Sequence, residues 1–374
     1  MILKRYKHLQ INSIKILTMN ILITHREVDP IMLNIFNTLS LDKKYNIFIA
    51  IPKDEESFHK IEGNCIKLFM NRIKSKFTWS SIKDIRRIVK ENNIDIIFSA
   101  GSSGLSNALF ATIGTKAINI AYRGTQHKIR LTDPTYYMGI LNPRVDYVIC
   151  ETEDIMQSLS KYISKEKLSF KSKPYMIEWI KKDNDVTDEN LPENSFKLVY
   201  VGNTKGRPFK GLSYLIEAMI LLNDKDIHLT IIGDYSDEDF NMANNSKMNN
   251  NIHFMGPRSN AISYIKNKDL FVLPSLRDAS PRVVREALAC SVPCIVTDIP
   301  GARDLISPKC GILVPAGNSK ELADKIKDLK NNNSKLNSLK SESQKHIIEN
   351  FSVEDYTNYI SKIFDKLYSE RVNS

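Results

Sequence analysis

The chain is poor in the residues that mark fibrous and disulfide-bound proteins. Its 374 residues include 14 glycines and 14 prolines, too few for a collagen repeat or a low-complexity Pro/Gly segment. The five cysteines (Cys65, Cys150, Cys290, Cys294 and Cys310) are odd in number and scattered without a C-x-x-C pair. That pattern argues against a disulfide framework and a zinc site, and for a reducing compartment. No apolar run reaches the roughly 18 residues of a membrane span. The N-terminal stretch MILKRYKHLQINSIKILT is basic, but Gln10, Asn12, Ser13 and Lys15 interrupt it, so it makes a poor signal peptide. The expected location is the cytoplasm, with peripheral contact to the inner face of the membrane. Composition is otherwise that of a soluble protein, 42% hydrophobic and 26% charged. At roughly 100–200 residues per domain, the length predicts two domains with a full core each.

Charge is unevenly spread. Residues 1–170 hold 25 Lys/Arg against 16 Asp/Glu, a net of +9, while residues 171–374 hold 28 against 27, a net of +1. Two readings stay open: a solvated surface in a Lys- and Asn-rich chain, or a face turned to a polyanion, nucleic acid or a phosphate-bearing membrane. Residues 66–90 concentrate the question. They carry Phe69, Phe77, Trp79 and Ile88 among eight Lys/Arg, as a helix lying on an anionic membrane would. An ordinary helix packing Ile82, Ile85 and Val89 on a sheet, basic face in water, fits equally.

Short β-branched runs alternate with helical patterns along the whole chain, the signature of parallel α/β units. Strands are expected at 21–24, 45–51, 94–99, 117–121 and 147–150, then at 197–202, 228–233, 252–255, 270–274, 293–297 and 311–314. Helices are expected between them, among others at 30–40, 80–92, 106–113, 211–222, 260–266, 281–290 and 319–331. The first strand follows Met19, so residues 1–18 read as an extension. A polar stretch ends the first half, giving a first domain at 19–172, a linker at 173–195 and a second domain at 196–350. Ligands of such sheets bind beyond the carboxyl ends of the strands, so the site is expected in the cleft between the halves.

Two blocks of the second half carry chemistry. In FVLPSLRDASPRVVREALACSVPCIVTDIPGARDLI a buried strand runs through a loop into a helix opening near Pro281. Backbone N–H groups at such a start, around Ala279 and Ser280, favour an anion. Asp278 and Glu286 flank it; their placement does not suggest a paired acid and base, but suits acceptors for sugar hydroxyls. In LVYVGNTKGRPFKGLSYLIEAMILL the strand-to-helix loop is cationic, with Lys205, Arg207 and Lys210, and Gly202, Gly206 and Gly211 permit close backbone approach. Such a loop suits a pyrophosphate, although no GxxxxGK[ST] is present.

Together the blocks resemble the nucleotide-sugar half of the family-4 (group 1) retaining glycosyltransferases of GT-B architecture, in the branch that makes bacterial surface glycans such as lipopolysaccharide. The family's Glu-x7-Glu is matched by Asp278-x7-Glu286, and its VG strand and Lys-Gly helix start by Val201-Gly202 and Lys210-Gly211. IIGD, HFMG and the closing FSVEDYTNYISKIFDKLY extend the likeness over 196–370. The resemblance implies an α/β fold of two Rossmann-like parallel-sheet domains facing a cleft, with a C-terminal helix (351–374) returning to the first. It further implies that Lys210 and Arg207 bind the donor pyrophosphate, Glu286 the ribose and Asp278 the donor sugar. Gly202, Asn203, Lys205, Pro257, Arg258, Ala279, Ser280 and Pro281 would border the donor. It implies no divalent metal and no cofactor, the nucleotide sugar being a co-substrate. Asp278 is one methylene shorter than the family's Glu, and Asn203 stands where many members have Arg.

The first half is less diagnostic. NIAYRGTQHKIR resembles a YRGT segment of the same branch and offers Arg123, Gly124 and His127 on the acceptor side. The activity expected is transfer of a hexose-type sugar from a nucleoside diphosphate to a growing, lipid-linked glycan. Alternatives are a catalytically impaired nucleotide-sugar-binding protein, a sugar-nucleotide epimerase and a nucleic-acid binder. No converging acid–base pair supports the epimerase and no binding motif supports the last.

Overall fold

A computed structural model describes residues 18–25, 29–125, 128–181 and 191–373. They form two parallel sheets. The first contains β1 (Met19–His25), β2 (Tyr45–Ile51), β3 (Ile66–Phe69), β4 (Ile96–Ala100), β5 (Ile118–Arg123), β6 (Tyr147–Cys150) and β7 (Leu168–Phe170) in the order β3-β2-β1-β4-β5-β6-β7. The second contains β8 (Phe196–Val201), β9 (Ile227–Ile232), β10 (Ile252–Gly256), β11 (Leu270–Leu273), β12 (Cys294–Thr297) and β13 (Gly311–Val314) in the order β10-β9-β8-β11-β12-β13. Both are doubly wound, as the alternation of strand and helix predicts. Their strands are near-continuous runs of Ile, Val, Leu and Phe because helices cover both faces.

Strand order reverses between β1 and β4 in one sheet and between β8 and β11 in the other. Loops leaving adjacent strands there part to opposite faces and open a crevice. The cationic loop follows β8 and the Asp278 loop follows β11, so topology alone sets the two blocks side by side.

Several elements differ from expectation for visible reasons. β3 was not foreseen because it is an edge strand with Ile66 and Phe69 exposed, so its pattern carries no core face. β7 has only three residues. The helix Asn333–Asn350 buries Leu336, Leu339, Ser343 and Ile347, a stripe too thin to stand out among its polar neighbours. The expected helix at 106–113 spans Ser102–Ala111, starting directly after Gly101 at φ +83°. The segment expected as a linker is partly tied down: Lys173 pairs with Asp29 at 2.7 Å, Tyr175 N donates to Phe351 O, and Glu178–Lys181 form a helical turn. Residues 1–17 and 182–190 lie outside the described residues.

The C-terminal helix Val353–Val372 packs on the first domain and buries Tyr356, Ile360, Ile363 and Phe364. Phe364 stands edge-on to Phe98 and Tyr45, and Tyr45 Oη donates to Asp365 at 2.8 Å. At roughly 1.5–3 kcal/mol per buried apolar side chain, these residues hold the chain's end firmly on the domain opposite its last sheet.

Candidate active site

The loop after β8 ends in a tight turn, Pro208–Lys210, followed by Gly211 at φ +75° and the helix Leu212–Leu222. A side chain at Gly211 would stand 2.0 Å from Pro274 O. Glycine therefore serves twice, for the left-handed backbone and for direct contact with the end of β11. Leu276 N donates to Phe209 O at 2.8 Å, and the Arg277 guanidinium lies 4.2 Å from the centre of the Phe209 ring. These contacts stitch the two loops together and bring Lys210 Nζ to Asp278 Oδ2 at 2.6 Å.

From below, Gly301 supports the Asp278 loop, since a Cβ there would meet Asp278 O at 2.2 Å and Ala279 O at 2.4 Å. Thr297 Oγ1 donates to Ser275 O. Asp278 is thus held by a well-packed loop, the condition for a carboxylate to orient a ligand. The helix of the same block runs Arg282–Ala289, with Pro281 as its cap and no side chain capping it. Its Glu286 is buried, and Oε1 accepts from Arg282 Nε at 2.7 Å.

Arg285, not singled out by sequence, is also buried. Its Nη1 donates to Ser280 Oγ at 3.0 Å, while Nε has no hydrogen-bond partner among the described residues. Burial pulls its pKa below the ordinary arginine value, opposed by Glu151 and Tyr122 of the first domain. The helix that carries Glu286 is thereby coupled electrostatically to the carboxyl ends of β5 and β6. Beside it, Glu153 N donates to Asp304 Oδ2.

The other predicted residues surround this centre unevenly. Lys205 and Arg207 are exposed on the loop. Asn203 Oδ1 accepts from Asp234 N at 2.9 Å, which fixes the loop's exit from the sheet beside Gly202. Arg258, after Pro257, donates from Nε to Tyr264 Oη. Ala279, Ser280 and Pro281 lie between Asp278 and the helix.

In the first domain, Arg123 and Gly124 line a cavity of about 560 Å³ beyond the carboxyl ends of β1, β4 and β5. His127 lies outside the described residues. Asp29, Tyr122, Glu151 and Lys173 share the cavity wall. Burial would raise Asp29, but the charge of Lys173 and the amides of Ile31 and Met32 outweigh it and hold the carboxyl below its ordinary value. Burial pushes the Tyr122 phenol well up. Glu151 was missed by sequence reasoning although it directly follows an apolar strand, the position from which a charge faces the crevice; Lys173 was hidden in a polar stretch.

A Lys210–Asp278 pair at one sheet's switch point and, at the other's, a mainly apolar cavity that carries Asp29, Arg123, Glu151 and Lys173 sit on two parallel-sheet halves of GT-B architecture. Residues 181–346 match the family "Glycosyl transferases group 1". The chain is 29% identical over 330 residues, 76% of this chain and 82% of the relative, to the N,N'-diacetylbacillosaminyl-diphospho-undecaprenol alpha-1,3-N-acetylgalactosaminyltransferase of Campylobacter jejuni. In fold it is similar to a glycosyltransferase from Rickettsia africae (TM-score 0.76, 19% identity, 95% of this chain and 99% of that one). Anabaena Alr3699/HepE, solved in complex with UDP, is also similar (TM-score 0.74, 16% identity, 93% of this chain and 100% of that one).

Proposed function

We propose that the protein transfers a hexose-type sugar, with retention of anomeric configuration, from a nucleoside diphosphate donor to a glycan carried on a lipid diphosphate. The observation that carries this reading is the Lys210–Asp278 pair at 2.6 Å, set at the β8/β11 switch point with Glu286 on the adjoining helix. Lys210, with Arg207, would take the donor's pyrophosphate, exchanging the Asp278 carboxylate for phosphate oxygens. Asp278, released, would accept from hydroxyls of the sugar, and Glu286 from those of the ribose.

The chemistry required is departure of a nucleoside diphosphate. Negative charge grows on the leaving phosphate, and a preorganised cation beside backbone amides stabilises it as it forms. These fixed groups can do so without a divalent metal. The first-domain cavity, with Arg123 and Gly124 at its wall, is the place for the acceptor, whose hydroxyl reaches the donor sugar when the cleft closes and excludes water. The Campylobacter relative, named for a diphospho-undecaprenol acceptor and covered over most of its length, supports a lipid-linked acceptor here.

The test is a panel of UDP-, GDP- and ADP-sugars, scored by thermal shift and by slow donor hydrolysis. A donor at 100 times its Kd raises apparent stability by about 2.7 kcal/mol. Lys210→Ala is expected to lower turnover about 10²–10³-fold, with an α-linked product from an α-linked donor by NMR and no loss of rate in chelator. If no donor binds, or Lys210→Ala and Glu286→Ala match the parent, the reading fails.

A further inference from the structure

We propose that Phe77, Trp79 and Ile113, ringed by Lys74, Lys83 and Arg87, dock the protein on an anionic phospholipid bilayer and set the mouth of the first-domain cavity at the headgroups. The inference deepens the acceptor reading above, on which its biological purpose rests, but it stands on a separate surface.

The helix Trp79–Glu91 buries Ile82, Ile85, Ile88 and Val89 against the sheet, so that its ordinary packing is complete. Its opposite face is left with Trp79, Lys83 and Arg87 at i, i+4 and i+8, all exposed. Trp79 is 59% exposed, Phe77 48% and Ile113 52%. The Phe77 and Trp79 rings stack at 6.2 Å and 17°, Phe77 stands edge-on to Phe110 at 5.1 Å, and Lys83 Nζ lies 5.4 Å over Trp79. Arg86 Nη1 binds Ala111 O and Ile113 O, which joins Ile113 to the same helix.

These side chains are held outward by a rigid frame. Asn107, fully buried, accepts from Thr78 N at 2.9 Å and donates to Ser75 O at 2.8 Å. Thr78 Oγ1 in turn accepts from Lys74 N and Ser75 N. A loop so fastened cannot fold its aromatic rings inward, and large apolar groups kept in water need a cover. The charge around them identifies it: residues 66–90 carry eight Lys/Arg against the single acidic Asp84. Although Arg87 is shared with Asp84 and Glu91 and Arg72 with Asp54 and Glu55, Lys74 and Lys83 beside the rings are in no ion pair among the described residues. Tryptophan at the headgroup level, phenylalanine deeper and lysines at the rim suit an anionic lipid surface.

The patch is continuous with the cavity. Lys76, next to Phe77, donates from Nζ to Thr135 Oγ1 at 2.6 Å and lies 5.6 Å over the Tyr136 ring, and all three line the cavity. A lipid-borne diphosphate would therefore pass from the bilayer surface along Lys76 into the pocket.

The experiment uses the full chain and vesicles of phosphatidylcholine with or without phosphatidylglycerol. Trp179→Phe leaves Trp79 as sole tryptophan, and its emission is expected to shift blue with phosphatidylglycerol vesicles alone. In co-sedimentation, Phe77→Ser/Trp79→Ser and, separately, Lys74→Glu/Lys83→Glu are expected to bind at least about tenfold more weakly. Donor hydrolysis in solution should stay at the parent level in both. The charge variant keeps the test valid if the aromatic one does not fold. Parent-level vesicle binding by both variants, or no vesicle binding by the parent, overturns the proposal. So does duplex DNA binding without vesicle binding, or a concentration-dependent dimer lost with Phe77 and Trp79. A failure of the donor panel alone would leave the vesicle result intact and strike only the catalytic reading.

Discussion

Gly206 and Gly211 lie five residues apart in the same cationic loop at nearly the same backbone angle, φ +70° and φ +75°. They differ in surroundings: a Cβ at Gly206 would meet nothing within 4 Å, whereas one at Gly211 would stand 2.0 Å from Pro274 O and 2.8 Å from its carbonyl carbon. Alanine at 206 should therefore cost only the left-handed backbone, about 1–2 kcal/mol. Alanine at 211 adds a backbone collision that can be relieved only by moving two loops apart, a further 1–3 kcal/mol or so by analogy with overpacking. At about 2–4 °C per kcal/mol for a domain of this size, Gly206→Ala should lower the melting temperature by a few degrees and Gly211→Ala by roughly twice as much. Moving the loops also separates Lys210 from Asp278, so Gly211→Ala should lose donor-induced thermal shift while Gly206→Ala keeps it. Melting temperatures within about a degree of one another would show that the close approach does not hold the loops, and the argument for the site's rigidity would fall.

Asp278→Ala should lower kcat/KM for the donor about 10–100-fold, the worth of a hydrogen bond to a charged group, while Asp278→Glu keeps most of it; equal losses would deny the carboxylate a part in binding. His228 and His253 stack with facing nitrogens 3.0 Å apart, and burial holds both below the ordinary value of 6.5, His253 further depressed by its neighbour. The folded state thus binds fewer protons than the unfolded chain, so their contribution is intact above pH 6.5 and is lost as pH falls through the folded values. His253→Phe, which keeps a ring in the stack, should flatten urea stability between pH 6.5 and 5; an unchanged slope would refute the assignment. Arg285→Met removes a buried cation facing Glu151, and a double-mutant cycle with Glu151→Gln should give a coupling of roughly 0.5–3 kcal/mol, additivity being the adverse result.

The doubly wound halves were legible because parallel strands covered on both sides are written as unbroken β-branched runs. Edge strand β3 was not, since Ile66 and Phe69 have no core face to reveal. Lys210, Asp278 and Glu286 could be picked out because strand, loop and helix occur in that order with charged residues where a crevice opens. Their convergence could not, because it depends on Gly211 against Pro274 and Gly301 against Ala279, contacts between segments 63 and 22 residues apart. Arg285 escaped for a related reason: in a helix read alone, Arg282, Arg285 and Glu286 all look solvated, whereas the fold buries Arg285 and Glu286 and leaves Arg282 exposed.

Arg285 also bears on why the two halves cooperate. It sits one residue from Glu286, which faces the proposed donor, and its field is answered by Glu151 and Tyr122, which wall the acceptor cavity. A charge buried between domains with one donor nitrogen unpartnered is costly, and that cost is smallest in the arrangement where Ser280 and Glu151 both remain close. Opening the cleft would move the helix away from β5 and β6 and expose the guanidinium to water, which solvates it well. Separating the halves would thus exchange the field of Glu151 for water, and the Arg285–Glu151 cycle measures the difference.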